Sequence, residues 1–256
     1  MSVFRRALTA AAAAALAMGI ASPALAADTT PPTGVFSADH THDFVGGVVS
    51  AVTVTVTRMG VSDDTSAPEN IAQEIDPGDG SGYVAWGSDI THQLQYTAAG
   101  VYHPTVRLTD EANNSSIIDL PAITVTADWS KPTVHIARPV PAMRPHVRGW
   151  QVVHGTSYDT GSGPSTTIVI VLERRSGIWY GYDYSTRRWS KGFADLRKTL
   201  TTTDVWPAFA EVSSGAWHAP RIAGLRKGTL LVQARSYDKV GNLSAQTRVT
   251  QVLSKP

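Results

Sequence analysis

One pattern constrains the fold of this chain more than any other. Residues 51–58 read Ala-Val-Thr-Val-Thr-Val-Thr-Arg, in which apolar and polar side chains alternate strictly. Successive side chains of a strand point to opposite faces, so a period of two predicts a half-buried β-strand. The pattern returns in four further segments, 101–108, 117–126, 166–172 and 229–235. Turn residues (Gly, Asp, Asn, Ser and Pro) cluster between these segments and predict short, closely connected strands.

Helical periodicity is almost absent. A short helix is predicted within 192–201, where Phe193, Leu196 and Leu200 are spaced along one segment. Short strands without alternating helices favour antiparallel β-sandwiches. The predicted fold class is therefore all-β.

An internal repeat divides the chain. Asp28 and Asp128 are each followed, four and five residues later, by Pro-Thr. Near the other end of each unit, a Gly, an Asp and an Asn recur at the same spacing, as Gly100, Asp110, Asn114 and as Gly228, Asp238, Asn242. The repeat predicts two tandem sandwiches, residues 28–127 and 128–256, of which the second carries an insertion near 190–214. The Asp and Asn of each unit are expected to bond to local backbone in a hairpin turn.

The first residues have the layout of a targeting segment. Arg5 and Arg6 precede an Ala/Leu-rich stretch, and Ala24-Leu-Ala26 fits a signal-peptidase site. Residues 1–26 are therefore expected to be a secretory signal peptide, and the mature protein is expected to be secreted.

The chain contains no cysteine. This composition excludes disulfides, iron–sulfur clusters, thiolate zinc sites and a cysteine nucleophile. Core packing alone must hold each sandwich together.

The first unit resembles the polycystic-kidney-disease (PKD) domain. The resemblance rests on Asp76-Pro-Gly-Asp-Gly80, on the strand 91–96, on Gly100-Val-Tyr102 and on Val106-Arg-Leu-Thr-Asp110. It implies an immunoglobulin-like sandwich of the kind that bacterial surface and secreted proteins use as a spacer or binding module.

The second unit resembles another bacterial extracellular Ig-like module. Gly155-Thr-Ser-Tyr-Asp159-Thr-Gly-Ser-Gly163 and Ala234-Arg-Ser-Tyr-Asp238-Lys-Val-Gly-Asn242 bracket it. Such modules are often attached to exported enzymes or adhesins, and we expect no catalytic domain within these 256 residues.

The sequence contains candidate ligands for two kinds of metal site. Calcium takes oxygen ligands from flexible loops, and Asp76, Asp79 and Asp110 lie in predicted loops, as do Asp63 and Asp64. Asx-turns explain the same residues without a metal. For zinc, His40 and His42 lack a third ligand at a suitable spacing.

No catalytic constellation stands out in the sequence. Ser162 lies in Gly-Ser-Gly, which lacks the Gly-x-Ser-x-Gly spacing of a hydrolase nucleophile and predicts a turn. We therefore expect a non-enzymatic protein.

An aromatic stretch in the second unit is the strongest candidate for a binding surface. Residues 178–189 contain the candidate ligand-binding side chains Trp179, Tyr180, Tyr182, Tyr184, Arg187, Arg188 and Trp189. Outward rings would stack on sugars, and these arginines, with Arg174 and Arg175, would hold anionic groups. The alternative is a hairpin whose aromatic pairs only stabilise the sheet.

The whole-chain charge of +1 conceals two opposed halves. Residues 28–127 carry 13 acidic and 2 basic residues, and residues 128–256 carry 8 acidic and 18 basic ones. The acidic unit is expected either to dock on the basic one or to leave it free for an anionic polymer.

The sequence favours a secreted, non-catalytic adhesion or binding protein. Its expected partners are a polysaccharide, a cell-wall polymer or another surface protein; nucleic acid is not expected. Two alternatives stay open, an accessory carbohydrate-active or hydrolytic protein with its chemistry in the insertion, and a pure spacer.

Overall fold

A computed structural model describes residues 27–256. The predicted signal peptide lies outside the described residues. Within 27–256, no helix has both the length and the apolar character that a membrane crossing requires.

Ten strands form the N-terminal part of the fold. They are β1 (Thr33–Ala38), β2 (His42–Val45), β3 (Val52–Ser62), β4 (Ala72–Asp76), β5 (Val84–Ala85), β6 (Thr91–Tyr96), β7 (Gly100–Tyr102), β8 (Thr105–Thr109), β9 (Ser115–Asp119) and β10 (Ile123–Ala127). They pair as β1-β3-β6, as β5-β4-β8-β9 and as β2-β10-β7. Most pairs are antiparallel, but β2 runs parallel to β10.

The alternating segment at 51–58 forms the middle strand of one of these sheets. Val52, Val54 and Val56 of β3 are buried, while the threonines between them point away from the core. The opposite sheet contributes Ile75, Val106 and Leu108 to the same cluster. Alternation therefore serves here to fill a core between two sheets.

Two segments predicted as single strands are each divided in the structure. The segment 101–108 is divided at Pro104 into β7 and β8, and the segment 117–126 is divided at Pro121 into β9 and β10. Proline has no backbone N–H to donate to a ladder, so the chain leaves one sheet and enters another at these points. The Leu120 backbone N–H donates to the Pro104 carbonyl and joins the two crossings.

Nine strands form the C-terminal part of the fold. They are β11 (Thr133–Ile136), β12 (His154–Tyr158), β13 (Pro164–Arg175), β14 (Ile178–Asp183), β15 (Arg188–Lys191), β16 (Ala208–Glu211), β17 (Ala216–His218), β18 (Gly228–Asp238) and β19 (Thr247–Leu253). One sheet is β11-β12-β17, and the other is β15-β14-β13-β18-β19 with β16 also paired to β13. Short 3-10 turns occur at Pro68–Asn70, Pro141–Met143 and Val147–Trp150.

The insertion holds both a helix and sheet structure. One short helix, α1 (Leu196–Thr202), begins after Asp195, whose side chain accepts the Lys198 backbone N–H. This agrees with the helix predicted at 192–201. Strand β16, in the same region, extends the main sheet along β13.

The second core is built on two buried tryptophans. Trp150 and Trp217 pack with Val169, Val171 and other apolar side chains of both sheets. Large aromatic side chains bury more apolar area than other residues, and this core is packed without a disulfide. The buried apolar residues form one cluster within 45–125 and another within 136–253. The all-β, Ig-like fold class predicted from the sequence is thus confirmed.

The predicted Asp–Asn turn is present in both units. The Asn114 backbone and side-chain nitrogens donate to the two carboxylate oxygens of Asp110. Asn242 binds Asp238 in the same way. Each Asn side chain also donates to the carbonyl of the residue that begins its unit, Asp28 or Asp128.

The packing around Gly155 generates a stability prediction. A Cβ at this position would overlap the His135 carbonyl oxygen and the Trp217 ring, and backbone atoms cannot move aside cheaply. Gly155→Ala is expected to lower the free energy of unfolding by about 3 kcal/mol. Denaturant unfolding followed by tryptophan fluorescence measures this loss.

Gly60→Ala is the matched control, because a Cβ at Gly60 would meet nothing within 4 Å. Its effect should stay within about 0.5 kcal/mol. Similar losses for both variants would contradict the close packing of Gly155 on Trp217.

Candidate functional site

The predicted aromatic surface lies at the edge of the larger sheet of the second sandwich. Strands β14 and β15 form its outermost hairpin, with Tyr182 directly opposite Trp189. Asp183 orders the turn between them by accepting the backbone N–H groups of Ser185 and Thr186. Arg187 completes the turn with a φ of 57°.

The structure corrects one predicted ligand-binding residue. Tyr182 is 0% exposed and belongs to the core, where its hydroxyl accepts the Ala223 backbone N–H at 3.0 Å. Tyr184 is partly buried and packs edge-on against Tyr182, and burial raises the pKa of its hydroxyl. Side chains at alternate positions share a face, so part of this aromatic run had to fill the core.

Arg175 connects the remaining rings of this face. Its guanidinium lies 4.9 Å from the ring centre of Tyr180 and 4.8 Å from that of Trp189. It also pairs with the carboxylate of Glu173 and donates to the Gly224 carbonyl. A guanidinium over aromatic rings is attracted by their negative faces. Arg175 is therefore engaged within the protein and does not serve as a free anion-binding group.

Glu173 is the partner that sequence reasoning missed. It is fully buried in β13, and its second oxygen accepts the Arg226 backbone N–H at 3.0 Å. Burial raises its pKa, and the hydrogen bond and charge of Arg175 offset this rise only in part. One indication of this role was present in the sequence, since Glu173 is a charged residue at the end of an apolar strand. That indication did not show that Arg175 is its partner.

Exposed cations without an ion pair lie next to the cluster around Arg175. Arg187, Arg188 and Lys191 are exposed on the hairpin, and Arg226 and Lys227 are exposed on the neighbouring loop 221–227. None of these five forms an ion pair within the described part of the chain. The loop lies beside the hairpin because the Trp189 indole N–H donates to the Ala223 carbonyl at 2.7 Å. We call these five residues the basic edge.

Two tryptophans lie close to the basic edge. Trp179 is partly exposed on the sheet face opposite to Tyr180. Trp206 is 58% exposed, and its carbonyl accepts the Tyr184 backbone N–H. Sequence reasoning did not select Trp206, since nothing in the insertion indicated that this segment returns to the hairpin.

The three predicted calcium ligands do not come together. Asp76 and Asp79 each accept a backbone N–H two residues ahead, from Gly78 and Ser81. Asp110 is buried and bonded to Asn114. Among the described residues, the candidates Asp63 and Asp64 do group, together with Asp28, and a second group contains Asp128, Asp159 and Asp238. An Asx-turn therefore accounts for Asp76 and Asp79, while Asp110 accepts both nitrogens of Asn114, four residues ahead, in the Asp–Asn turn.

The two histidines, His40 and His42, each lie against nearby side chains. His40 Nδ1 lies 2.8 Å from Asp39, and its Nε2 lies 3.7 Å from Asp43. His42 contacts the Thr126 hydroxyl at 3.3 Å. They do not form a metal-ligand group with other described residues.

Comparison with known proteins gives only distant likenesses. No protein-family profile and no curated protein matches the chain. Among solved structures, it is similar to fibronectin(III)-like modules of Clostridium thermocellum CbhA, with 13% identity, a TM-score of 0.37 and coverage of 86% of this chain and 95% of that one.

Two other solved structures have comparable scores. A bacterial ice-binding adhesin has 11% identity and a TM-score of 0.43, with 89% of this chain and 67% of that chain covered. Carbohydrate-binding modules of the β-sandwich superfamily have 12% identity and a TM-score of 0.31, with 89% and 94% covered. At these scores the likenesses carry no argument about function.

The Glu173–Arg175 pair generates a pH-dependent prediction. Arg175→Ala leaves a buried carboxylate without its counter-charge, so we expect a loss of about 3–5 kcal/mol in unfolding free energy near neutral pH. A carboxyl whose pKa is raised on folding favours the folded state most below its ordinary pKa, and this contribution is lost as pH rises through the raised value. The destabilisation should therefore shrink as the pH is lowered into the acid range, where Glu173 takes up a proton.

Denaturant unfolding at the two pH values measures this difference. Arg174→Ala is the control, because Arg174 is exposed and its guanidinium donates to a backbone group, the Gly177 carbonyl, rather than to a carboxylate. It should cost about 0.5 kcal/mol or less at both pH values. Equal, pH-independent losses for the two variants would contradict the pairing.

Proposed function

We propose that this chain is a secreted, non-catalytic binding or adhesion protein whose second sandwich holds an anionic polysaccharide or cell-wall polymer. The basic edge carries the proposal. Its five cations form no ion pair within the described part of the chain and lie on two adjacent segments, the β14–β15 hairpin and the loop 221–227. A polymer with repeated negative groups would meet several of them at once.

The charge of the second sandwich supports this proposal. Residues 128–256 hold 8 acidic residues, and four of these, Asp128, Glu173, Asp183 and Asp238, are buried. The exposed surface is therefore more basic than the sum over the segment suggests. Such a surface concentrates anionic polymers near it, and the attraction falls off beyond about 8 Å at physiological salt.

The aromatic rings give a reason for a carbohydrate rather than a small anion. Trp179, Tyr180 and Trp189 are partly exposed beside the cations, and Trp206 is largely exposed. Apolar ring faces pack against the C–H faces of sugars, while the cations take carboxylate, sulfate or phosphate groups. The combination fits an acidic polysaccharide or a phosphate-containing cell-wall polymer.

A spacer function is the second candidate, and a specific observation favours it. The hairpin is held by contacts within the protein, in which Arg175 lies over the rings of Tyr180 and Trp189, and Trp189 packs on Tyr182. These contacts support the hairpin without a ligand. The accessory-enzyme alternative gains no support from the insertion, since β16 is an ordinary strand of the main sheet.

Salt-dependent retention on a heparin column tests the proposal. Heparin serves as the probe for a sulfated, sugar-based polyanion, and the full chain is used. The double variant Arg187→Gln, Arg188→Gln is expected to elute at clearly lower salt than the unaltered protein, because two of the five cations of the basic edge are lost.

A second double variant, Arg138→Gln, Arg248→Gln, is the matched control. It removes the same charge from exposed positions away from the hairpin, so its elution should stay near that of the unaltered protein. Equal shifts for both variants would mean that only overall charge matters. A protein that is not retained at low salt would favour the spacer.

A further inference from the structure

Three carboxylates meet where the second sandwich begins. Asp128 lies in the linker after β10, Asp159 in the turn after β12, and Asp238 at the end of β18. One oxygen from each lies within 4.8 Å of the other two. Asp128 and Asp238 are only 3% and 2% exposed.

The hydrogen bonds around this group come from neutral donors. Asp128 accepts the backbone N–H groups of Ser130 and Ser162 at 3.0 and 2.6 Å. Asp159 accepts the N–H groups of two glycines in its turn, and Asp238 accepts both nitrogens of Asn242. The Ser130 hydroxyl also donates to Asp128 and lies 3.1 Å from Asp159 Oδ1. Each carboxylate oxygen has two lone pairs, so an oxygen that accepts a single donor can still bind a cation. Asp128 Oδ2, Asp159 Oδ1 and both oxygens of Asp238 are such oxygens.

No positive side chain of the described residues neutralises the group. None of the ion pairs found within 27–256 involves Asp128, Asp159 or Asp238. Lys239 directly follows Asp238 but is exposed and forms no ion pair with the described residues. Burial works to raise the pKa of Asp128, yet the hydrogen bonds from Ser130 and Ser162 outweigh it and lower that pKa. Adjacent buried negative charges are costly without a counter-charge.

Ser162 gives an independent indication of a ligand. It is 4% exposed, and its hydroxyl oxygen is buried without a hydrogen-bond partner among the described residues. The backbone N–H of the same residue donates to Asp128 Oδ2 at 2.6 Å, so the unpartnered hydroxyl lies beside the group. A buried hydroxyl rarely lacks a partner in a folded protein, because the loss of its hydrogen bond to water is not repaid.

We infer that Asp128, Asp159 and Asp238, together with the Ser162 hydroxyl, bind a divalent cation at the start of the second sandwich, and that this cation is Ca²⁺. The ligand set consists of oxygen atoms on loops, which Ca²⁺ accepts with variable geometry. Mg²⁺ demands a stricter octahedron and holds its water, and zinc prefers nitrogen or sulfur. This site is distinct from the calcium ligands that the sequence suggested, Asp76, Asp79 and Asp110.

The first sandwich contains a related but weaker arrangement. Asp28 begins that unit as Asp128 begins the second, and it groups with Asp63 and Asp64. There, however, Asp64 is exposed, and the hydroxyls of Thr30 and Thr65 donate to the carboxylates. The Ser130 hydroxyl makes a bond of the same kind at the second site, so burial is what separates the two groups. Two of the three carboxylates of the second site are buried, so tight binding is expected there only.

The position of the site gives it a mechanical consequence. The first sandwich contacts the second through the loop after β2, where the Val48 N–H donates to the Val240 carbonyl at 2.8 Å. Asn242, from the same turn as Val240, donates to the Asp128 carbonyl. A cation held by Asp128 and Asp238 would fix the linker to this turn and stiffen the junction between the sandwiches.

Terbium luminescence gives a local test on the full chain. Trp129 directly follows Asp128 and is 70% exposed, so excited tryptophan should transfer energy to Tb³⁺ bound in the place of Ca²⁺. The proposal predicts sensitised Tb³⁺ emission that added Ca²⁺ displaces. It also predicts a higher melting temperature in millimolar Ca²⁺ than in chelator, because a ligand that binds only the folded state stabilises it.

Four variants distinguish binding at this site from binding elsewhere on the chain. Asp159→Asn keeps an oxygen for the glycine N–H groups of its turn but loses a charge, and should weaken Ca²⁺ binding about tenfold or more. Ser162→Ala should weaken it by a smaller factor without disturbing the fold. Trp129→Phe should remove most of the Tb³⁺ emission yet retain the Ca²⁺-dependent rise in melting temperature. Asp64→Asn, in the first sandwich, should retain both signals.

Asp79→Asn is the matched control, since Asp79 is an exposed Asx-turn residue. The inference is overturned if the unaltered chain gives neither emission nor a Ca²⁺-dependent rise in melting temperature. It is equally overturned if Asp159→Asn and Ser162→Ala respond to Ca²⁺ as Asp79→Asn does. Should Asp159→Asn fail to fold, Ser162→Ala alone decides the outcome.

Discussion

The Asp–Asn turn at the end of each sandwich is the interaction on which the arrangement of this molecule depends. Asp110 or Asp238 holds the following Asn so that its side chain reaches the carbonyl of the residue that begins the unit. One short turn thereby ties the last part of each sandwich to its first residue. In the second sandwich the tied residue is Asp128, so the same turn also fixes the linker between the two units.

Without cysteine, the rest of each fold relies on packing. Trp150 and Trp217 fill the second core, and glycine at position 155 lets a strand pass directly over an indole ring. At the sheet edge, Arg175 joins Glu173 to the rings of Tyr180 and Trp189. This cluster supports the hairpin, and the cations of the basic edge are exposed on the hairpin and on the loop 221–227. The arginine that supports the hairpin is thus not one of the five cations proposed to bind a polymer.

Periodicity and repeats were sufficient to predict the class of fold. The alternation at 51–58 predicted β3, and the repeated Asp and Asn predicted the turns that the structure contains. The sequence did not predict that the chain passes from one sheet to another at Pro104 and Pro121. Apolar and polar side chains continue to alternate through a proline even where the backbone hydrogen bonds of the sheet are interrupted. The buried position of Tyr182 and the pairing of Glu173 depend on which sheet face meets the core. Asp128, Asp159 and Asp238 are far apart in the chain. Local sequence patterns therefore could not predict that they lie together.

The central claim is that the second sandwich binds an anionic polymer through the basic edge. Backbone amide NMR of the isotope-labelled full chain, titrated with a short heparin fragment, tests it residue by residue. The account predicts chemical-shift changes concentrated in the β14–β15 hairpin and in the loop 221–227, decreasing as salt is added. Changes spread evenly over all exposed cations of residues 128–256, or none at low salt, would contradict it.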